Sequence, residues 1–357
     1  MQLIAILIIL IAICSYDEVH AEKSISVHLM NYGDSADVDI WEGLILYQTD
    51  LSDQTELSAK YGVDSVTSVS FNTISESTGN PEAQVRHSGS LSLNHFYTRN
   101  ISGATSLQVS SKEDYFSYTA GQSMTFPIID HLTTLSFAGF YTKNVNSPNI
   151  PTTNSVLLPP PNRSLDSDQL TAIMSIERLL SLKSKLKILA EMYRQSGYLS
   201  TGYQRVPITT GTTSGMALES VPDSRTGMSV AAVYSRWLFN NSAMHIRGRY
   251  SQDSYNVTAM SADVTFLKYL TDLLIGEFRY RYYRQTSASF YGDIFDVLPS
   301  EYFTNHQALS EFFSNMIGLG LTYEIEKWGS VKLWGDVYGA DTGFNYLTIS
   351  LGYEQKF

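Results

Sequence analysis

Along most of the chain apolar and polar residues alternate with period two, the signature of strands that have an apolar medium on one side and water on the other. Residues 313 to 324 set Phe313, Ile317, Leu319, Leu321 and Tyr323 against Ser314, Gly318, Gly320, Thr322 and Glu324. Residues 330 to 338 set Val331, Leu333 and Val337 against Lys332, Trp334, Asp336 and Tyr338. In 273 to 284, Leu274, Phe278, Tyr280 and Tyr282 oppose Glu277, Arg279, Arg281 and Tyr283. The segments 243 to 251 and 256 to 266 repeat the device with Met244, Ile246 and Tyr250, and with Met260, Ala262, Val264 and Phe266.

The same alternation predicts strands over 24–31, 37–48, 54–66, 86–98, 103–112, 116–127, 132–145, 168–179, 185–196, 226–238 and 345–357. With the five above they make sixteen, or fourteen if the first pair is discounted. Tight turns and long connectors alternate between them. The turns fall at 50–53, 98–102, 128–131, 180–184, 239–242, 268–272 and near Glu326-Lys327-Trp328, and the long connectors at 67–85, 146–167, 197–225 and 285–312. The expectation is an all-β fold: a transmembrane antiparallel β-barrel with short periplasmic turns and long external loops. Ser175 to Gln195, rich in Leu, Lys, Glu and Arg, also fits an amphipathic helix, but a helix would break the rhythm of turns and loops, so a hairpin is expected. The loop from Ser147 to Arg163 holds five prolines and reads as extended and irregular.

The final ribbon places Leu347, Ile349, Leu351, Tyr353 and Phe357 on one face and Thr348, Ser350, Glu354 and Lys356 on the other. A strand there needs a partner for its edge, and closure into a barrel provides one. Tyr353 and Phe357 are the candidate assembly signal read by the barrel-assembly machinery. At the other end, Leu3 to Ile13 is an unbroken apolar run, followed by Val19-His20-Ala21. A signal peptide over 1–21 is expected, with the barrel occupying 22–357; eleven apolar residues fall short of the roughly 20 that a spanning helix needs.

Cleavage there would remove Cys14, the only cysteine, so neither disulfide nor thiolate chemistry is expected. The net charge of -11 would become -9, which excludes a nucleic-acid binder. The 24 Tyr, 16 Phe and 4 Trp suit strands and interfacial aromatic girdles.

As an ordered set, Ser111-Lys112-Glu113-Asp114-Tyr115-Phe116-Ser117, Ser196-Gly197-Tyr198-Leu199-Ser200, His245 to Asp253, and Arg279-Tyr280-Arg281-Tyr282-Tyr283-Arg284-Gln285 with Phe290-Tyr291 resemble a proteobacterial family of unknown function whose members are expected to be outer-membrane barrels. The resemblance covers nearly the whole mature chain. Thr201-Gly202-Tyr203-Gln204 departs from the Asp-Pro-Tyr-Arg type of run that follows in the family pattern. What the resemblance implies is the barrel and its outer-membrane location, in contact with lipids and lipopolysaccharide; it also implies a periplasmic partner in a redox-linked envelope system.

The residues carrying potential chemistry lie on the faces expected to line the lumen: Arg247, Arg249, Asp263, Glu277, Arg279, Arg281 and Asp336. Guanidinium groups in a pore favour anions, whereas pairing with the interleaved carboxylates would merely knit the wall together. Glu113, Asp114 and Asp253 sit at external turns, where acids are most often solvated. The seven histidines show no metal-ligand spacing, and no metal or other cofactor is expected. Ser88 beside His87 is the one nucleophile and base pair in sight, and strand geometry points the two to opposite faces. The sequence therefore reads as a non-enzymatic channel or transport component for small polar or anionic solutes. The alternative is a plugged barrel that serves as an anchor or receptor through its external loops.

Overall fold

The computed structural model describes residues 23–357 except 37, 67–83, 99, 114, 129–131, 147–164, 201–203, 211–212, 240, 297–300 and 326–328. The expected signal peptide, the proline-rich loop, the Glu326-Lys327-Trp328 turn and the Thr201-Gly202-Tyr203 run lie outside the described residues. In chain order the strands are β1 (Lys23–Asp34), β2 (Asp39–Ser52), β3 (Thr55–Val66), β4 (Gln84–Phe96), β5 (Ser102–Lys112), β6 (Tyr115–Ile128), β7 (Thr133–Asn146), β8 (Ser167–Ser181) and β9 (Ser184–Gly197). They continue with β10 (Arg205–Thr210), β11 (Thr213–Leu218), β12 (Ser224–Leu238), β13 (Ser242–Asp253), β14 (Thr258–Tyr269), β15 (Leu274–Gln285), β16 (Phe312–Ile325), β17 (Gly329–Ala340) and β18 (Asn345–Lys356).

Sixteen of these close an antiparallel barrel in which each strand pairs with the next, β9 pairs with β12, and β1 pairs with β18. The count is sixteen rather than fourteen because β1 and β2 are full members of the wall. In the seam Ser24 lies opposite Lys356 and Asp34 opposite Tyr346. The amide of Phe357 also donates to the carbonyl of Lys23 at 2.8 Å. Closure satisfies every strand edge, as hydrocarbon surroundings require.

The outer surface is apolar by alternation. Leu319, Leu321, Leu333, Val337, Leu347, Ile349 and Leu351 are all about half exposed, and Phe357 continues their face. A closed antiparallel barrel with such a band is an integral outer-membrane protein of Gram-negative bacteria. No helix among the described residues is long and apolar enough to cross a membrane, so the strands do the spanning.

The segment from Ser175 to Gln195 is a hairpin, β8 to β9, and its register explains why. Leu170, Met174, Ile188 and Met192 reach the outer face, while Lys185 pairs with Glu177 across the inner one at 3.2 Å. A helix would have merged these two faces. The unforeseen element is the β10–β11 hairpin inside the connector from 197 to 225, which forms a separate two-stranded sheet. Pro207 sits inside it, tolerable because on that edge of β10 it is asked only to accept, from the Phe295 amide at 3.2 Å, while Thr209 supplies the donor.

Candidate functional site

The inner face follows from the outer one. With Phe278 and Tyr280 exposed to the membrane side, Glu277, Arg279, Arg281, Tyr283 and Gln285 point into the barrel. Asp263 lies between Arg247 and Arg281 in the strand register, and it faces Arg279 at 3.4 Å and Arg281 at 3.5 Å. Arg249 reaches Glu191 on β9 at 3.3 Å, and Lys332 reaches Glu277 at 2.9 Å. Arg247 is exposed and has no ion-pair partner among the described residues. Asp336 accepts from the Trp334 indole at 2.5 Å and from the Thr348 hydroxyl at 3.3 Å.

Trp334 lies flat on the inner wall, and the sequence makes room for it. A Cβ on Gly318 or Gly320 of the neighbouring strand would overlap the indole. Lys332 sits over the same ring at 5.1 Å. The opposite wall is built differently: β4, β5 and β6 present Ser88, Ser92, Ser106, Ser110 and Ser117 inward, while Leu91, Leu93, Leu107, Val109, Phe116 and Tyr118 face out. The lumen therefore has a wall dense in charge and, across from it, a hydroxyl-rich one with the Arg86–Asp64 pair, 2.9 Å apart, at its side.

The external mouth carries a cap, and its interior is drier than the barrel's. Val206, Ile208, Phe303 and Thr304 are 0 to 2 % exposed. Val206 and Ile208 of β10, Ala217 of β11, Phe303 and Phe295 form one apolar cluster. Val221, Tyr255, Val257 and Ala288, with Leu199, Phe290, Tyr291 and Leu309, form a second. Backbone pairing ties the hairpin to the loop after β15: the Thr209 amide donates to the Phe295 carbonyl at 2.8 Å, and Ser220 and Phe303 exchange amide donations at 3.0 and 2.8 Å. Thr304 Oγ1 donates to Glu219 Oε2 at 2.6 Å, fully out of solvent. Burial pushes the Tyr255 phenol up to about 12, so it stays neutral and donates to the Pro222 carbonyl at 2.8 Å.

From this cap the chain dips inward as a single 3₁₀ turn, Gln307–Leu309. Gln285, 6 % exposed on the inner wall, holds the turn by donating from Nε2 to the carbonyls of Ala308 at 2.9 Å and Ser310 at 2.7 Å. The Tyr283 hydroxyl donates to Gln285 Oε1 at 2.7 Å and fixes which way the amide faces. The turn is flanked by two cavities. One of about 380 Å³ lies against Tyr115, Asn144, Ser167 and Gln195, and one of about 240 Å³ against Arg281, Tyr338 and Tyr346; Ala308 borders both. Walking round the wall from β15 to β7 takes six of the sixteen steps, so the turn bridges much of the mouth.

The lumen-facing candidates read from the alternation are thus brought together on β13 to β17, and Asp253 has a separate task. It accepts from the amides of Tyr255 and Val257 and is ion-paired with Arg225, so it organises an external turn. Among the described residues no group of three or more His, Cys, Asp and Glu is placed to hold a metal. Gln285 stands in the sequence reading only as the end of the Arg279–Gln285 run, since a lone glutamine at a strand end gives no signal of what it will clamp.

Solved structures with similar barrels include the loop L8 deletion mutant of OmpT, an outer-membrane protein of Vibrio cholerae, at 9 % identity and TM-score 0.46, covering 94 % of this chain and 99 % of that one. The outer-membrane protein OpdK of Pseudomonas aeruginosa is similar at 9 % identity and TM-score 0.48, covering 95 % and 99 %. A BenF-like porin from Pseudomonas fluorescens Pf-5 is similar at 6 % identity and TM-score 0.48, covering 94 % and 99 %. The search of curated proteins gives no match. Residues 77–349 match the family described as protein of unknown function DUF3570, which takes in most of the barrel, the hairpin and the inserted turn, and the chain belongs to that family.

Proposed function

We propose that the protein is a diffusion channel for small polar solutes with a preference for anions, narrowed at its outer mouth by the inserted turn. The observation that carries this reading is the composition of the inner wall around that turn. On β9 and β13 to β17 it includes Arg247, Arg249, Arg279, Arg281 and Lys332 interleaved with Glu191, Asp263, Glu277 and Asp336, and Arg281 lines the smaller of the two cavities beside the turn. Guanidinium groups that keep free donors lower the barrier for an anion and raise it for a cation.

In planar bilayers the purified protein gives discrete conductance steps, and a potassium chloride gradient gives a reversal potential on the anion side. Arg247→Glu replaces the unpaired guanidinium beside Asp263 with a carboxylate and shifts the reversal potential toward cations. A bilayer that stays tight at high protein load overturns the channel, and an unshifted reversal potential overturns the role of this wall.

The second reading is a plugged barrel that binds a partner through its external surface. The dry cores of the cap favour it, since they make the loops a rigid unit suited to display. A cap that closes the lumen passes no current until it is removed, so conductance of the intact protein separates the two.

A further inference from the structure

We propose that the smaller cavity, beneath the inserted turn, is a binding site for a monocyclic aromatic carboxylate on its way through the barrel. The cavity is a trough with chemically distinct parts. Its floor is Ser314 and Met316 of β16, both buried. Tyr283 and Phe312, with centroids 5.6 Å apart, rise on one side. Tyr338 and Tyr346, stacked at 4.5 Å and 7°, rise on the other. Arg281 lies on the same rung as Met316, Tyr338 and Tyr346 and also lines the trough. Ala308 of the clamped turn roofs it.

Each part selects. Aromatic faces on two sides favour a flat ring, which can stack or meet an edge, over an aliphatic body of similar size. The guanidinium of Arg281 meets Asp263 only through Nε at 3.5 Å, and its two terminal nitrogens make no hydrogen bond among the described residues. Such a paired donor suits one carboxylate, taken in fork geometry, better than a divalent anion that would need several convergent charges. The Tyr338 hydroxyl has no partner among the described residues, and that of Tyr346 has only the Met316 sulfur at 3.7 Å, so both can serve ring substituents. About 240 Å³ is room for one substituted ring.

This inference rests on the lumen being open to solutes, and binding can be measured apart from current. The full-length protein in detergent is titrated with benzoate, cyclohexanecarboxylate, acetate and benzyl alcohol, following heat release and tyrosine fluorescence. Benzoate is expected to saturate a single site, about tenfold tighter than each of the others. Arg281→Gln abolishes the preference for benzoate over benzyl alcohol, and Tyr338→Leu brings benzoate down to cyclohexanecarboxylate. The ligand series on the unaltered protein decides the matter even if a variant fails to assemble. Equal affinity for benzoate and acetate means a general anion wall and overturns the proposal, as does equal affinity for benzoate and benzyl alcohol or no saturable binding. Conductance without benzoate binding leaves the channel and removes the site; binding without conductance does the reverse.

Discussion

Excising the hairpin Arg205–Leu218 raises the single-channel conductance several-fold and leaves the barrel intact. The chain ends left behind already meet, because the Glu219 amide donates to the Gln204 carbonyl at 3.0 Å, so a direct join adds little strain. What is lost is the partner surface of Phe303, whose side chain is almost wholly buried against Val206, Ile208 and Ala217. Removing that contact costs the cap about 1.5 to 3 kcal/mol, the range for moving a buried phenylalanine into water, and frees the Phe295–Phe303 part of the loop while the cluster around Val221 and Tyr255 stays. The freed part of the loop then swings away from the mouth. Gln285→Leu acts on the other hold, stranding the carbonyls of Ala308 and Ser310 at about 1 to 3 kcal/mol each. Unchanged conductance in both variants would mean that the cap is not the constriction. The barrel is the internal control: an unboiled sample that still migrates apart from the boiled one on a detergent gel retains its wall.

Gly329→Val abolishes that compact, fast-migrating form. Gly329 opens β17 with φ +107°, a backbone conformation a β-branched residue avoids, and a Cβ there would overlap the carbonyl of Glu354 on β18. The conformational penalty alone is about 1 to 3 kcal/mol, and the overlap is with backbone that cannot rotate away without breaking the β17–β18 pairing. Gly343 separates the two contributions. It also has a positive φ, +86°, but nothing lies within 4 Å of its would-be Cβ, so Gly343→Ala carries only the conformational penalty and leaves migration unchanged. If Gly329→Val assembles as well as Gly343→Ala, the strand junction at Gly329 is looser than its geometry implies.

The sixteen wall strands were legible because each residue position there answers to one of two media. Leu319 meets lipid and Gly318 meets the lumen, so one-residue alternation is enforced for the length of the barrel, and even the lysine-rich run from Lys183 to Lys187 keeps the rule. The cap obeys no such rule. Its contacts join Val206 to Phe303 and Glu219 to Thr304, partners 97 and 85 positions apart, and no local periodicity announces them. Pro207 further conceals β10 by breaking the pattern that would mark it as a strand. The charged wall was legible residue by residue, since alternation fixes which side each arginine faces. The pairing of two arginines with one Asp263 was not, because that depends on which strands become neighbours.

The seam between β1 and β18 sets the order of events in biogenesis. Ser24 pairs with Lys356, 332 positions further on, so the wall has two open edges until its last strand is made. Loop closure over that distance is slow, and unpaired edges with apolar faces aggregate in water. A wall whose first strand, β1, pairs with its last, β18, can therefore close only as one cooperative step, and no stretch of it short of the whole is free of an open edge.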